Sequence, residues 1–199
     1  MEIISIIKDI SLSIASLTTA AVAYNGVGKW HRELKGKASF ETARALIQAT
    51  YKLRDAIEQC RSPYIHTREF PDDYHSLSTQ TPEQKGDAYA QVYGARWQRI
   101  SETMLDFDAF SLESEALWGV SIKEKTDMLR DCVIELHQAI DAYISNEYSN
   151  GSDFKDTELS KHVNTRLSNH MQQENPFTAH INNAIKEIET EVRPHLDRS

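Results

Sequence analysis

Glycine and proline are scarce, at 7 and 5 among 199 residues, and there are only two cysteines. The cysteines, Cys60 and Cys132, form no C-x-x-C pair and no zinc spacing. Both fall on apolar stripes of expected helices, so they read as small buried hydrophobes in a reducing compartment, with a disulfide between them as the alternative. Low-complexity tracts are missing, and so are repeats of 20–50 residues. No glycine-rich phosphate loop, G-x-S-x-G or H-E-x-x-H occurs, so no cofactor or metal is expected. A formal charge of −8 argues against a general nucleic-acid binder.

What the chain does have is an uneven charge. Residues 29–61 hold eight Lys/Arg against four Asp/Glu, whereas residues 62–199 hold thirteen against twenty-four. Ahead of the basic part, residues 10–28 carry no charge at all. A spanning helix needs about 20 mostly apolar residues. This stretch supplies Ile, Leu, Val, Ala and Tyr, but also five Ser/Thr, one Asn and two Gly. Hydroxyls can return to the helix's own carbonyls and so cost less in lipid than a charge. Ile3, Ile4, Ile6 and Ile7 lengthen the segment backwards, bringing Lys8 and Asp9 one turn from the interface. Lys29, Arg32, Lys35 and Lys37 follow it, with Trp30 where an interfacial aromatic would sit. The positive-inside rule then leaves the N-terminus outside and the body in the cytoplasm. The expected division is an anchor over 1–28, a basic juncture over 29–38 and a helical body over 39–199.

Two other readings of the first 28 residues stay open. Ala21-Val22-Ala23 resembles a signal-peptidase site, but Glu2 and Asp9 replace the usual basic n-region and the basic residues come after the site. A helix packed in a soluble bundle, or lying at an interface, would also suit the hydroxyl content. Small residues recur at i, i+4 (Ser11, Ala15, Thr19, Ala23, and Ser16, Ala20), as in membrane helices that approach closely, though any Ala/Ser-rich helix shows such rows.

The body reads as helices. Ser39 offers a cap for a helix to about Arg61, with Ala43, Leu46, Ile47, Thr50, Tyr51, Leu53, Ile57 and Cys60 at helical spacing and Ser62-Pro63 as its stop. Residues 62–81 form a long polar loop. Thr81-Pro82-Glu83-Gln84 combines an N-cap, a first-turn proline and a capping-box glutamine. Behind it Tyr89, Tyr93, Trp97, Ile100, Met104 and Phe107 step by four, four, three, four and three, one buried face of a helix that bends or breaks near 110–118. Ser121 to Glu124 suggests a second capping box, and the following stripe from Leu129 to Ile144 ends at Asn150-Gly151. Further helices are expected over 157–171 and from Asn175-Pro176 onward. No segment alternates with period two. The fold class is all-α: an N-terminal membrane-spanning helix followed by an antiparallel bundle of four to five helices.

Catalytic signals are weak. Arg61 with His66, and Arg130 with His137, fit the loose R-x4-6-H signature of helical HEPN-type ribonucleases, where a base meets the ribose 2′-OH and a cation the phosphate. With this composition about one such match arises by chance, in keeping with the false-positive risk of short motifs. Glu158, His162, Arg166 and His170 share one helix face, but an arginine in the middle repels a metal ion, so a solvated, salt-bridged face is the better account. Asp106 and Asp108 point to different faces of a helix and form no dyad. The loop segment Tyr64 to Ser76 holds aromatics, Arg68, His66, His75 and two adjacent acids, and suits partner binding or a plain connection.

The weak N-terminal span, "KWHRELKGK" (29–37) and "FETARALIQATYKLRDAIEQCRSP" (40–63) together resemble a loose group of bacterial proteins. In that group a short membrane helix precedes a basic, Trp-containing juncture and a helical cytoplasmic body. The resemblance covers about the first 65 residues and carries no activity. It implies a bacterial inner membrane. The expected function is protein–protein interaction or assembly at that membrane. The expected partners are the lipid bilayer, an unidentified protein and a second copy of the chain, with no nucleic acid and no small-molecule substrate. The alternatives are a membrane-perturbing effector acting through an oligomerising N-terminal helix and, third, the ribonuclease.

Overall fold

A computed structural model describes residues 2–72, 74, 80–169 and 175–197; in the first helix the side chains of residues 2–11, 13, 14, 20, 21 and 25 are outside the described set. Five α-helices occur among the described residues, and no strand: α1 (Glu2–Cys60), α2 (Pro82–Trp118), α3 (Val120–Tyr148), α4 (Thr157–Leu167) and α5 (Pro176–Leu196). Short 3-10 turns lie at Thr67–Glu69 and Asp153–Lys155. The chain divides into two compact units, Met1–Glu41 and Thr42–Ser199.

The first unit is helical throughout its described backbone. The helix start expected at Ser39 does not occur, because the juncture 29–38 lacks proline and is filled with helix formers such as Leu34, Lys35, Lys37 and Ala38. Ser39 is an interior residue of α1, not a cap. As expected, hydroxyls return to the helix's own carbonyls: Ser16 Oγ donates to Leu12 O and Thr19 Oγ1 to Ala15 O, both at 2.8 Å. No helix among the described residues is long and apolar enough to cross a membrane. The side chains of 1–11 and several within 13–25 are outside that statement.

The second unit has one core. Residues 42–60 contribute Ala43, Leu46, Leu53, Ile57 and Cys60 of the face read from the sequence, with Ala49 and Ala56 in addition, while Ile47 and Tyr51 are only partly buried against the core. Against them pack Ile100 and Phe107 of α2, Ile122, Leu129 and Leu136 of α3, and Ile181, Ile188 and Val192 of α5. Contacts between helices fix their directions. Thr42 Oγ1 donates to Glu113 at 2.7 Å, and Lys52 pairs with Asp106 at 3.3 Å, so residues 42–60 of α1 run antiparallel to α2. Arg130 meets Asp108, and Trp97 lies against His137, so α2 and α3 are antiparallel too. Lys125 reaches Glu187 while Trp118 stacks on His195, which reverses α5 relative to α3. Four helices thus alternate in direction around the core.

Local signals explain the boundaries. Thr81 caps α2 with the full reciprocal box: its hydroxyl accepts from Gln84 N–H at 3.2 Å, and Gln84 Oε1 accepts from Thr81 N–H at 2.9 Å. The bend expected near 110–118 is a clean break one residue later, at Gly119. There φ is +84°, a left-handed value that costs a glycine little. The capping box expected at Ser121 does not form: α3 begins at Val120 with Gly119 at its cap and no side-chain cap bond. Asn150 (φ +54°) and Gly151 (φ +80°) terminate α3 as the sequence suggested. Helix α4 stops at Leu167, short of the expected Met171; residues 170 and 171 lie outside the described residues.

Phe107 has 0% exposure and sits beneath the Arg130 guanidinium, 5.7 Å from the ring centroid. Phe107→Ala is expected to lower unfolding free energy by about 3–5 kcal/mol, read by urea denaturation. A cost near that of a surface substitution would contradict this core assignment.

Candidate functional site

No group of three His, Cys, Asp or Glu among the described residues has metal-binding geometry. The features that call for explanation are two exposed surfaces, one on each unit.

In the first unit Leu12, Leu17, Val22, Tyr24, Val27, Trp30 and Leu34 are all exposed, from 47% at Leu34 to 83% at Tyr24. Tyr24, Val27, Trp30 and Leu34 step by three, three and four, so they form one face of the helix. Lys35 and Lys37 border that face; Lys29 and Arg32 lie behind it, by the 100° turn per residue. All four cations are exposed. The ion pair here, Lys29 with Glu33 at 3.9 Å, is exposed and weak. An apolar face of this size with basic borders suits a low-dielectric or anionic surface.

In the second unit Leu105 and Leu112 of α2 are 73% and 65% exposed. With Ala109 and Ala116, also exposed, they step by four, three and four on the face of α2 opposite the core. Nothing in the sequence reading isolated this stripe. The signal was available: Leu105 and Leu112 sit out of phase with the Ile100–Met104–Phe107 stripe and cannot join the core.

The arginine–histidine pairs take other roles. Arg61 is 1% exposed. Its Nε donates to Arg166 O at 2.6 Å, Nη1 to Thr178 Oγ1 at 3.0 Å and Nη2 to Thr165 O at 3.2 Å. The Phe177 ring lies 4.9 Å away, with Arg166 5.3 Å from the same ring. Burial lowers the Arg61 pKa to about 10. This guanidinium joins the ends of α1 and α4 to the start of α5. His66, by contrast, is exposed at the loop turn, where its backbone N–H donates to Glu69 Oε1 at 2.8 Å. No hydrogen bond joins Arg61 to His66 among the described residues.

Arg130 is held by Asp108 and Asp127, and His137 lies two turns on, pairing with Asp141 at 3.3 Å. Both side chains are thus engaged with carboxylates, and no hydrogen bond joins them among the described residues. Asp106 and Asp108 do face different ways, toward Lys52 and Arg130. On α4, Arg166 pairs with Glu135 at 2.7 Å, and its Nη1 lies 3.1 Å from His162 Nδ1. His170, the last of that expected row, lies outside the described residues. Cys60 and Cys132 are free and buried, and burial pushes both thiols up to about 11.

The loop after α1 is held by a residue that sequence reasoning passed over. The Arg96 side chain, 8% exposed, pairs with Glu69 through Nε (2.7 Å) and Nη2 (3.0 Å). It also donates to the carbonyls of Cys60, Ser62 and Tyr64 at 3.2, 2.9 and 2.9 Å. Beside it Phe70 stacks on Tyr74 at 4.6 Å and meets Tyr89 edge-on, and Tyr89 meets Tyr143. Desolvation raises the pKa values of Tyr93, to about 12, and Tyr143, so these hydroxyls stay neutral structural groups at ordinary pH. Asp73 and His75 of the same loop lie outside the described residues. Comparison with protein-family models, curated proteins and solved structures finds no match for the chain.

Proposed function

We propose that this protein works at a membrane, held there by its N-terminal helix, and that its acidic helical body serves protein–protein interaction or assembly. The observation that carries the reading is the exposed apolar series from Leu12 to Val27, followed at once by the exposed cations Lys29, Arg32, Lys35 and Lys37 with Trp30 among them. Leaving such a series in water forfeits about 25 cal/mol for each Å² that lipid would cover. Basic residues at a headgroup surface add roughly 1 kcal/mol each. The returned hydroxyls of Ser16 and Thr19 lower the cost of lipid contact.

The finer form of the proposal is a single span in a bacterial inner membrane, with the N-terminus outside and the body cytoplasmic. Alkaline carbonate extraction tests it on the full chain beside a form lacking residues 2–28. A full chain retained in the pellet, with the truncated form released, supports the span. A full chain released by carbonate yet floating with anionic vesicles means that the helix lies in the interface instead. Release without flotation overturns the membrane reading.

A second reading draws on the exposed small-residue series Ala15, Thr19 and Ala23. An effector that oligomerises through it and perturbs the bilayer would collapse membrane potential on overexpression, and the collapse would require residues 1–28. Intact potential rejects it.

A further inference from the structure

The stripe on α2 has a border as well as a face. At 100° per residue, Glu102, Asp106 and Glu113 fall along one edge of Leu105, Ala109, Leu112 and Ala116, and Asp108 and Glu115 fall along the other. Two of these acids already hold cations, Asp106 with Lys52 and Asp108 with Arg130. Even so the stripe lies between two acidic lines. A second copy of α2 laid on the stripe would set acid against acid, which disfavours a symmetric pair. A helix that fits must offer apolar side chains with basic borders. The chain itself contains one: Trp30 and Leu34, exposed at 63% and 47%, with Lys35 and Lys37 at the edges of their face.

We infer that neighbouring copies assemble head to tail, the basic segment Gly28–Lys37 of one docking on the acid-bordered stripe Leu105–Ala116 of α2 in the next. The two patches are different, so the contact is heterologous and a joined pair retains one free patch of each kind. The contact surface is small, since four short side chains and two larger ones cannot bury what a stable soluble dimer needs. Confinement of all copies to one membrane raises their effective concentration and offsets that weakness. The inference goes beyond the membrane proposal, and its chemistry does not require lipid.

Two variants of the full chain, Leu34→Cys and Leu112→Cys, are co-expressed with distinguishable tags and oxidised mildly. The native cysteines are buried and do not compete. Every substituted position is exposed, so the fold is retained, and circular dichroism checks this. The expected result is a disulfide between the two differently tagged chains. Adding Lys35→Glu and Lys37→Glu to the first chain should reduce its yield about tenfold, given the modest worth of exposed pairs and their screening. Adding Glu102→Lys and Asp106→Lys to the second chain, which reverses one of its two acidic edges, should restore part of it. A yield indifferent to both charge changes overturns the inference, and so does absence of the mixed product. A Leu112→Cys product with itself means that the stripe pairs symmetrically, which also overturns it. The mixed product in a chain that carbonate releases and that does not float with anionic vesicles would sink the membrane proposal while leaving this one standing.

Discussion

Arg61→Ala is expected to lower unfolding free energy by about 3–4 kcal/mol and Tm by about 10 °C, read by urea and thermal denaturation. The final carbonyls of α4 have no partner within their own helix and carry the negative end of its dipole. Arg61 supplies donors there, to Thr165 O and Arg166 O, and also binds Thr178 of α5. Asn175 Nδ2 shares the load, donating to Thr165 O and Ser168 O at 2.8 Å each. Among the described residues, the hydrogen bond to Arg166 O comes from Arg61. No carboxylate occurs among these contacts; the charge is met by carbonyl dipoles and the Phe177 ring. Arg61→Lys should recover only part of the loss, because a single ammonium cannot reach three acceptors on two helices. Arg61→Met should recover little, since it fills the space without donors. Near-complete recovery by methionine would show that volume alone matters and would sink this account.

Arg96→Ala is expected to open the segment after α1, raising tryptic cleavage at the exposed Arg68 about tenfold and lowering global stability by about 2–3 kcal/mol. The side chain meets Glu69 twice and three carbonyls of residues 60–64, so its removal frees a carboxylate and a loop together. Glu69 also carries a pH dependence. The hydrogen bonds from Arg96, with that from His66 N–H, hold its pKa below the ordinary value. A carboxylate depressed in the folded state binds fewer protons there than when unfolded. Its contribution is therefore present above about pH 4.3 and lost as pH falls through the lower folded value. Cleavage within residues 62–72 of both chains, assayed with pepsin across that window, should rise in the wild type toward the Arg96→Ala level. An unchanged rate at low pH would remove Glu69 from the clamp.

Helix periodicity carried most of the fold. The stripe Tyr89 to Phe107 and the face Ala43 to Cys60 were readable because buried positions recur at fixed angles, and both line the core. Thr81-Pro82-Glu83-Gln84 was readable because four residue types agree on one geometry. Ser39, a single hydroxyl, and Ser121, paired with Glu124 at capping-box spacing, both misled because such side chains only propose a cap, while the flanking helix formers or a left-handed Gly119 decide where the backbone turns. Arg61 was visible as half of a spaced pair, but spacing does not say where a side chain points. Its partners lie more than a hundred residues on, and no local pattern encodes them. Arg96 was missed for the same reason, since its acceptors are mostly backbone carbonyls, which every residue possesses. The exposed stripe on α2 was legible as leucines out of phase with the core, and the basic borders of α1 as plain charge counting.

The arginine buried at the end of α1 also sets a schedule for synthesis. Arg61 leaves the ribosome before the carbonyls of residues 165 and 166 and the hydroxyl of Thr178 exist. At 5–20 residues per second that is a wait of roughly 5–25 seconds. Until then the guanidinium has only water to satisfy it, so the apolar face around Cys60 cannot close over it. The body should therefore become protease-resistant only once α5 has emerged, and nascent chains arrested before Pro176 should remain open.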